Sequence, residues 1–480
     1  MGKSPRALRY PGIPQPLDFA SDAPDKTVMM NEHGEGRRVG RWRLVTLAGG
    51  DFAFNLYWQS VMLYLLFYYT DAIGIAVETA AAIYLAASVW DGLVSFAVGA
   101  LVDRQGGARH YRWALIGGAV PLGMAFAMAY APPPVAGQAG LAFVLGGHLL
   151  FRTAYALVNI PYLAMSARVS MDSRDRSFVA GLRMLAGTAA AVLVAIGTVP
   201  IGGMVMGVEG GPRAFMGAAL LFAGLGSVIL IGVGWTFRDG MAEVAKPPPP
   251  SIRISLAAVA RNRAFLTLAV AMIAMIVATT VLGKSVLYYF KYRLHDVGAG
   301  QLALASMMAV SVVAVPVWMA LARMIGAVRL WFVAVGCCGT GLLLFATVDL
   351  PQVGAMQAFL IGMQAVTVGL HFAFWALLPD TIDHGERATG IRAEGIVFGL
   401  AALLQRVAIG LATVMIGLVL GQAGYVANVD QTPETLAALR RLVVVVPLVC
   451  FVLSGLAMAF SPLRRTGRFS LARGGGRVKP

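Results

Sequence analysis

Three sets of residues in this chain have types and spacings that could do chemistry. Asp51, Asn55 and Gln59 recur four apart, and so do Asp91, Ser95 and Gly99. A third set, Arg152, Tyr155, Asn159 and Leu163, follows 3, 4, 4 spacing. In a helix each set falls on one face, its members about one turn (5.4 Å) apart. Arg183, Lys284, His371 and Arg406 add single ionisable groups in stretches that are otherwise apolar. A charge at the centre of a bilayer costs about 2.5–3.5 kcal/mol on insertion scales, so groups like these are functional candidates by default. If the faces point at one another they outline a polar cavity. There, amides and guanidinium groups would bind hydroxyl or carboxylate oxygens, and a carboxylate such as Asp91 would exchange a proton or hold Na⁺. Packing explanations compete. Asp91 and Arg183 could be interhelical locks. Arg152 and Lys284 could snorkel to headgroups. A lone His371 is more often a satisfied packing residue.

No catalytic constellation accompanies these residues. HExxH, GxSxG, a Walker loop and paired CxxC are all missing, so an enzyme is not expected. The three cysteines, Cys337, Cys338 and Cys450, lie in apolar runs and read as packing residues rather than as a disulfide framework or metal site. No cofactor and no resident metal is expected. Transport would then be driven by a co-transported ion, H⁺, with Na⁺ as the alternative.

The elements that position these residues are transmembrane helices. Of 480 residues, 58% are hydrophobic and 13% charged, about half the charged share of a soluble domain. Mean hydropathy is +0.75. Apolar runs of about 20 residues, each able to cross a hydrocarbon core, recur along the chain without the period-two alternation of a membrane barrel. The fold class is an all-α polytopic membrane protein. Twelve spans are predicted at 44–70, 76–101, 113–131, 138–168, 179–203, 213–236, 264–291, 298–322, 328–348, 353–380, 394–421 and 440–461. They divide into six-helix bundles at 44–236 and 264–461, joined by a loop at 237–263 that holds Pro247–Pro250. Residues 1–43 and the basic 462–480 read as tails, the first mostly disordered and without the apolar core of a signal peptide.

The charges set an orientation. Of the 38 Lys and Arg, Arg213, Lys291, Arg293, Arg440 and Arg441 fall in loops on one side, and Arg152, Arg183, Lys284 and Arg406 fall within spans. The remainder lie on the side of the two termini, which the positive-inside rule makes cytoplasmic. The net charge of +15 then reflects topology, and nucleic acid is not an expected partner. The expected partners are a small-molecule substrate and the lipid bilayer, with the chain a monomer. At the predicted cytoplasmic ends, Asp103, Arg104, Asp175, Arg176, Asp380, Asp383, Glu386, Arg392 and Glu394 are candidate gate or loop charges. A faint repeat links ALVDRQGGAR (100–109) with ALARMIGAVR (320–329) at equivalent places in the two halves. Such repeats underlie many secondary transporters.

Four stretches carry a resemblance: GGDFAFNLYWQSVMLYLLFYYTDAIGI (49–75), VWDGLVSFAVGALVDRQGGARHYRW (89–113), YALVNIPYLAMSARVSMDSRDRSFVAGLRMLAG (155–187) and LLPDTIDHGERATGIRAEGIVFGLAALLQRVAIG (377–410), with GYVAN (424–428) following. In order and spacing, across about 44–461, the chain resembles the glycoside–pentoside–hexuronide:cation symporters of the major facilitator superfamily, the group of the melibiose carrier. The resemblance implies two six-helix bundles, alternating access, one central sugar site and a bacterial inner-membrane location. It places Asp91 at the family's cation-binding aspartate. The second acidic position is Ser95, and two further family cation-site residues fall at Val94 and Ala156. Sugar-binding aspartates of helices one and four align with Asn55 and Asn159, and a tryptophan with Leu163. Tyr155 and Arg183 match, and a helix-eleven lysine falls at Arg406. Two carboxylates have become amides while the cations remain, so an anionic sugar and H⁺ coupling are the expectation. Kept as alternatives are a lysolipid or other amphiphile carrier of the same fold and a transporter-like sensor that moves nothing.

Overall fold

The computed structural model describes residues 40–105, 108–167, 173–237, 252–348, 352–391 and 393–464. Among them there is no strand. The apolar runs become α1 (Arg41–Leu63), α2 (Val77–Gln105), α3 (Ala108–Ala129), α4 (Gly137–Ala167), α5 (Ser173–Met206) and α6 (Gly211–Thr236). The second half supplies α7 (Arg263–Tyr292), α8 (Val297–Ile325), α9 (Ala327–Thr347), α10 (Val353–Thr389), α11 (Glu394–Gln422) and α12 (Pro433–Ala459). By length and composition α2 to α12 can each cross a membrane. The first span is also present, but it is broken at Tyr64 into α1, a short turn at Leu65–Phe67 and a π turn at Tyr68–Ala72. Insertions of this kind are frequent at functional sites. Most helices outrun their predicted bounds, because polar residues at the ends continue the backbone ladder beyond the apolar stretch. Within the stretch expected as a loop, IRISLAAVA forms a short helix at Ile252–Ala260. Its run of good helix formers follows directly after the prolines.

Prolines sit inside α3, α4, α5, α8, α10 and α12, as neighbouring helices in a membrane allow. Chain reversals are fixed locally. The Asn262 side chain accepts from Phe265 N–H at the start of α7 and donates to the Thr381 carbonyl on α10 (2.7 Å). Asp296 and Thr432 cap α8 and α12.

In the first half α1 packs on α5 and α6, α3 on α4 and α6, and α2 on α4. In the second, α7 packs on α12, α10 and α11, and α8 on α10. The halves meet along α2–α11 and α5–α8. Glycines let α2 and α11 approach closely. A Cβ on Gly417 would lie 2.5 Å from Ala81 Cβ, and one on Gly410 would lie 3.2 Å from Leu85 Cα. The end where helices run out toward residues 41 and 459 is called the terminal side here, and the opposite end the far side.

Candidate functional site

Asp91 on α2 has no exposed surface, and its counter-charges are the protein's own. Arg152 of α4, itself 1% exposed, reaches it through Nη1 at 3.1 Å. Arg406 of α11 reaches the same oxygen, Oδ2, through Nε at 3.3 Å. Ser95, one turn along α2, donates to Oδ1 at 3.3 Å. The carboxylate therefore stands between one guanidinium from its own half and one from the other half. Arg152 does not snorkel. Its Nε donates to His148 Nε2 (3.2 Å), which leaves His148 Nδ1 for the Tyr69 hydroxyl (3.2 Å). Its guanidinium also lies over the rings of Trp58 (5.2 Å) and Tyr84 (5.8 Å).

Lys284 of α7 is likewise buried. Its ammonium lies 4.0 Å from the centre of the Tyr84 ring and donates to the Met62 carbonyl (3.0 Å), beside the break in the first span. Arg406 stacks on Trp58, 4.0 Å from the ring centre. Arg406 Nη1 is buried and has no hydrogen-bond partner among the described residues. This one connected cluster sets Arg152, Lys284 and Arg406 against the carboxylate of Asp91. A buried donor left unpaired costs free energy, more when it is charged, until an acceptor fills it.

Toward the terminal side the polar face of α1 forms a second group. Asp51 pairs with Arg183 of α5 through Nε and, at 3.2 Å, through Nη2. Tyr162 donates to Asp51 Oδ2 at 2.5 Å. Asn55 donates to the Asp51 carbonyl, and Gln59 to Asn55 Oδ1 at 3.3 Å. Asp51, Asn55 and Gln59 are part-exposed, unlike Asp91. Tyr155 is buried against Phe54, Phe151 and Trp58. Asn159 is half-buried on α4. Arg183 thus belongs with Asp51, and Asp91 takes Arg152 and Arg406 instead.

Other sequence candidates lie elsewhere. His371 bonds the Thr367 carbonyl of its own helix at 3.1 Å. Asp380 and Asp383 line a cavity at the terminal side of the second half. Asp175 and Glu386 are part-buried near that side. The side chains of Asp103, Arg104, Arg176 and Glu394, and the whole of Arg392, lie outside the described residues.

Sequence reasoning overlooked two features. His148 stands one turn from Arg152, a spacing that could have flagged it. The other is a lock at the far side built on Asp71. Lys291 Nζ approaches its Oδ1 at 2.6 Å and Tyr292 donates to the same oxygen. Tyr425 and Thr70 donate to Oδ2 at 2.8 and 2.7 Å. Asn428, in the left-handed region at φ 61°, donates to the Asp71 carbonyl and accepts from Lys291. Asp71 and Thr70 end the first span, whereas the other partners come from α7 and the α11–α12 connection, so the lock joins the two halves at the far side. The signal lay in TDAIGI and GYVAN, each too short to announce a contact between them.

Residues 47–465 match the MFS/sugar transport protein family. The chain belongs to that family. It is therefore an integral membrane transporter and not an enzyme. The glucuronide carrier protein homolog of Escherichia coli is 26% identical over 88% of the transporter and 93% of that relative. The isoprimeverose transporter of Lactiplantibacillus pentosus is 26% identical over 85% and 86%. The nucleoside transporter NupG shares the fold, with a TM-score of 0.62 at 16% identity, over 87% of the transporter and 98% of NupG.

Proposed function

We propose that the transporter moves a glycoside bearing a carboxylate, a hexuronide-like sugar acid, by alternating access with H⁺ rather than Na⁺ as coupling ion, both termini being cytoplasmic. The observation that carries this reading is the unpartnered Nη1 of Arg406, buried in a cluster whose cations outnumber its carboxylate. A guanidinium binds a carboxylate through two parallel N–H groups, an arrangement that an uncharged hydroxyl matches less well. The amides of Asn55 and Gln59, on the part-exposed face of α1, can bind sugar hydroxyls. The name of the glucuronide carrier homolog agrees with this chemistry, while that of the isoprimeverose transporter points to an uncharged glycoside.

Coupling follows from competition. A substrate carboxylate that engages Arg406 draws it from Asp91, which keeps Arg152. The cluster has then gained one negative charge, and a proton on Asp91 restores the earlier balance. Na⁺ at Asp91 would sit against two guanidinium groups, with Ser95 as the neighbouring hydroxyl oxygen, a poor set for a hard cation that prefers several oxygens.

The test is a thermal-shift screen of detergent-purified protein with neutral glycosides, their uronates and lysolipids, with and without Na⁺, at pH 5.5 and 7.5. A ligand that binds the folded state raises apparent stability by mass action. Stabilisation by a uronate that depends on pH and not on Na⁺ is expected. Greater stabilisation by the neutral glycoside, or by a lysolipid, overturns the substrate assignment, and a Na⁺ requirement overturns the coupling.

A further inference from the structure

A cavity of about 1160 Å³ lies apart from the central cluster. It lies at the terminal side of the second half, between the ends of α7, α8, α10 and α12 and the start of α9. Its walls carry Arg263, Arg323, Arg329, Arg387 and Arg464 against the carboxylates of Asp380 and Asp383. The side chains of Arg263, Arg323 and Arg329 are exposed and make no hydrogen bond or ion pair with a described residue. Arg464 spends one N–H on the Ala459 carbonyl and lies over Phe332. The sugar-binding reading uses none of these arginines.

The internal repeat sharpens the point. Aligning ALVDRQGGAR with ALARMIGAVR puts Arg323 where the first half has Asp103, and Arg329 opposite Arg109. The second copy has exchanged an acid for a base in the last turn of α8, on the cavity wall. α9 also starts on this wall, after Gly326, without a side-chain cap, and such a start adds positive potential. The rim is apolar. Met324 is 77% and Phe460 81% exposed, each beside an arginine-bearing turn.

We propose that this cavity binds a phosphate group carried by an anionic molecule, with Arg323 and Arg329 as its principal donors. Two sources share that chemistry: the headgroup of an anionic phospholipid and a soluble phosphorylated compound. Met324 and Phe460 favour the lipid, whose acyl chains would lie against them. Basic pockets between transmembrane helices on the cytoplasmic side suit such headgroups.

The experiment uses the full chain in detergent, followed by thermal shift and native mass spectrometry. Phosphatidylglycerol, cardiolipin and phosphatidylcholine of matched acyl chains are titrated in parallel. Sodium phosphate is titrated against chloride at constant ionic strength. Saturable stabilisation by the anionic lipids beyond that by phosphatidylcholine, relieved by inorganic phosphate, assigns the site to a lipid. Stabilisation by inorganic phosphate beyond chloride, with the lipids alike, assigns it to a soluble phosphate. If neither exceeds its control, the proposal is wrong. The double variant R323Q/R329Q should bind at least about tenfold more weakly, as the loss of one or two charge-assisted contacts implies, with uronate binding at Arg406 unchanged. A double variant that titrates like the wild type puts the phosphate elsewhere and overturns the assignment. So does one that loses transport while binding phosphate normally, since the arginines would then serve a gate. The wild-type phosphate titration decides the matter if the double variant does not fold.

Discussion

Replacing Arg406 with Gln keeps a hydrogen-bonding side chain but removes the charge that an anionic substrate needs. Hydrogen bonds to charged groups are worth about 1.5–3 kcal/mol, or roughly 10- to 150-fold in affinity. Uronate affinity measured by calorimetry should fall by about that factor in Arg406→Gln, and affinity for the matching neutral glycoside by less than about threefold. Equal losses for the two ligands would remove the carboxylate from the argument. Asp91 calls for a different experiment, because it neutralises two buried guanidinium groups. Breaking a buried pair by removing one partner costs about 3–5 kcal/mol. Asp91→Asn should therefore lower the thermal midpoint of the ligand-free protein, and a second change, Arg152→Gln, should recover part of the loss. If the double variant is no more stable than the single, the two groups are not acting as a pair. The sequence told part of this story. Asp91, Arg152 and Arg406 stand out as charges in apolar runs, and the one-face spacing of Asp51, Asn55 and Gln59 survives as a ladder of hydrogen bonds. What the sequence could not supply was the pairing. Four-residue spacing orders groups along one helix, but which arginine meets which aspartate depends on how α2, α4, α5 and α11 pack.

At the scale of elements, the far-side lock ties the end of the first span to α7 and to the α11–α12 connection through one carboxylate. Lys291 reads from sequence as an ordinary loop charge, and only the fold places it beside Asp71. The break at Tyr64 and the π turn that follows were equally hidden, since YLLFYYTDA holds neither proline nor glycine and is helix-compatible throughout. Asp71→Asn removes the charge but keeps the size of the side chain, so the lock should open more often. A cysteine at Gln59, in a background lacking Cys337, Cys338 and Cys450, would report it. An impermeant thiol reagent added from the far side should label it at least about tenfold faster in the Asp71→Asn background, and unchanged labelling would mean that α2–α11 packing alone holds that side shut. The Tyr425 hydroxyl should give the lock no pH dependence in the ordinary range. Burial, and then the Asp71 charge, push the Tyr425 hydroxyl above its usual value near 10. A group raised in the folded state contributes stability that is complete below its unfolded value and is lost only as pH rises beyond it. Far-side labelling of the otherwise wild-type protein should therefore be flat from pH 6 to 8 once corrected for the reagent's own chemistry. A rise within that window would mean that some other group controls the lock.

For the whole molecule, alternating access requires that substrate and coupling ion change the relation of the two halves, and Arg406 is placed to convey that change. It belongs to α11, it reaches Asp91 on α2, and those helices form the closest seam between the halves. On the proposed mechanism, the Asp91–Arg406 contact pulls the seam together when the site is empty. With a carboxylate on Arg406 and a proton on Asp91 that contact is gone, and the cluster returns to the charge it had when empty. A proton alone leaves the three cations with no carboxylate, and a sugar acid alone leaves the Asp91 charge with one guanidinium partner fewer; in a low-dielectric site either disfavours the reorientation. Uronate and proton should therefore cross together, in a ratio near one. In proteoliposomes, a uronate gradient should acidify the lumen as the sugar enters, at the same rate in Na⁺ and in K⁺ buffers, and an imposed proton gradient should concentrate the sugar. Asp91→Asn is neutral throughout, so it should exchange uronate for uronate across the membrane yet fail to concentrate it against a gradient. Full concentrative uptake by that variant would show that Asp91 is not where the proton rides. Uptake by the wild type without proton movement would make the transporter a facilitator, with the Asp91–Arg406 contact a structural tie between its halves.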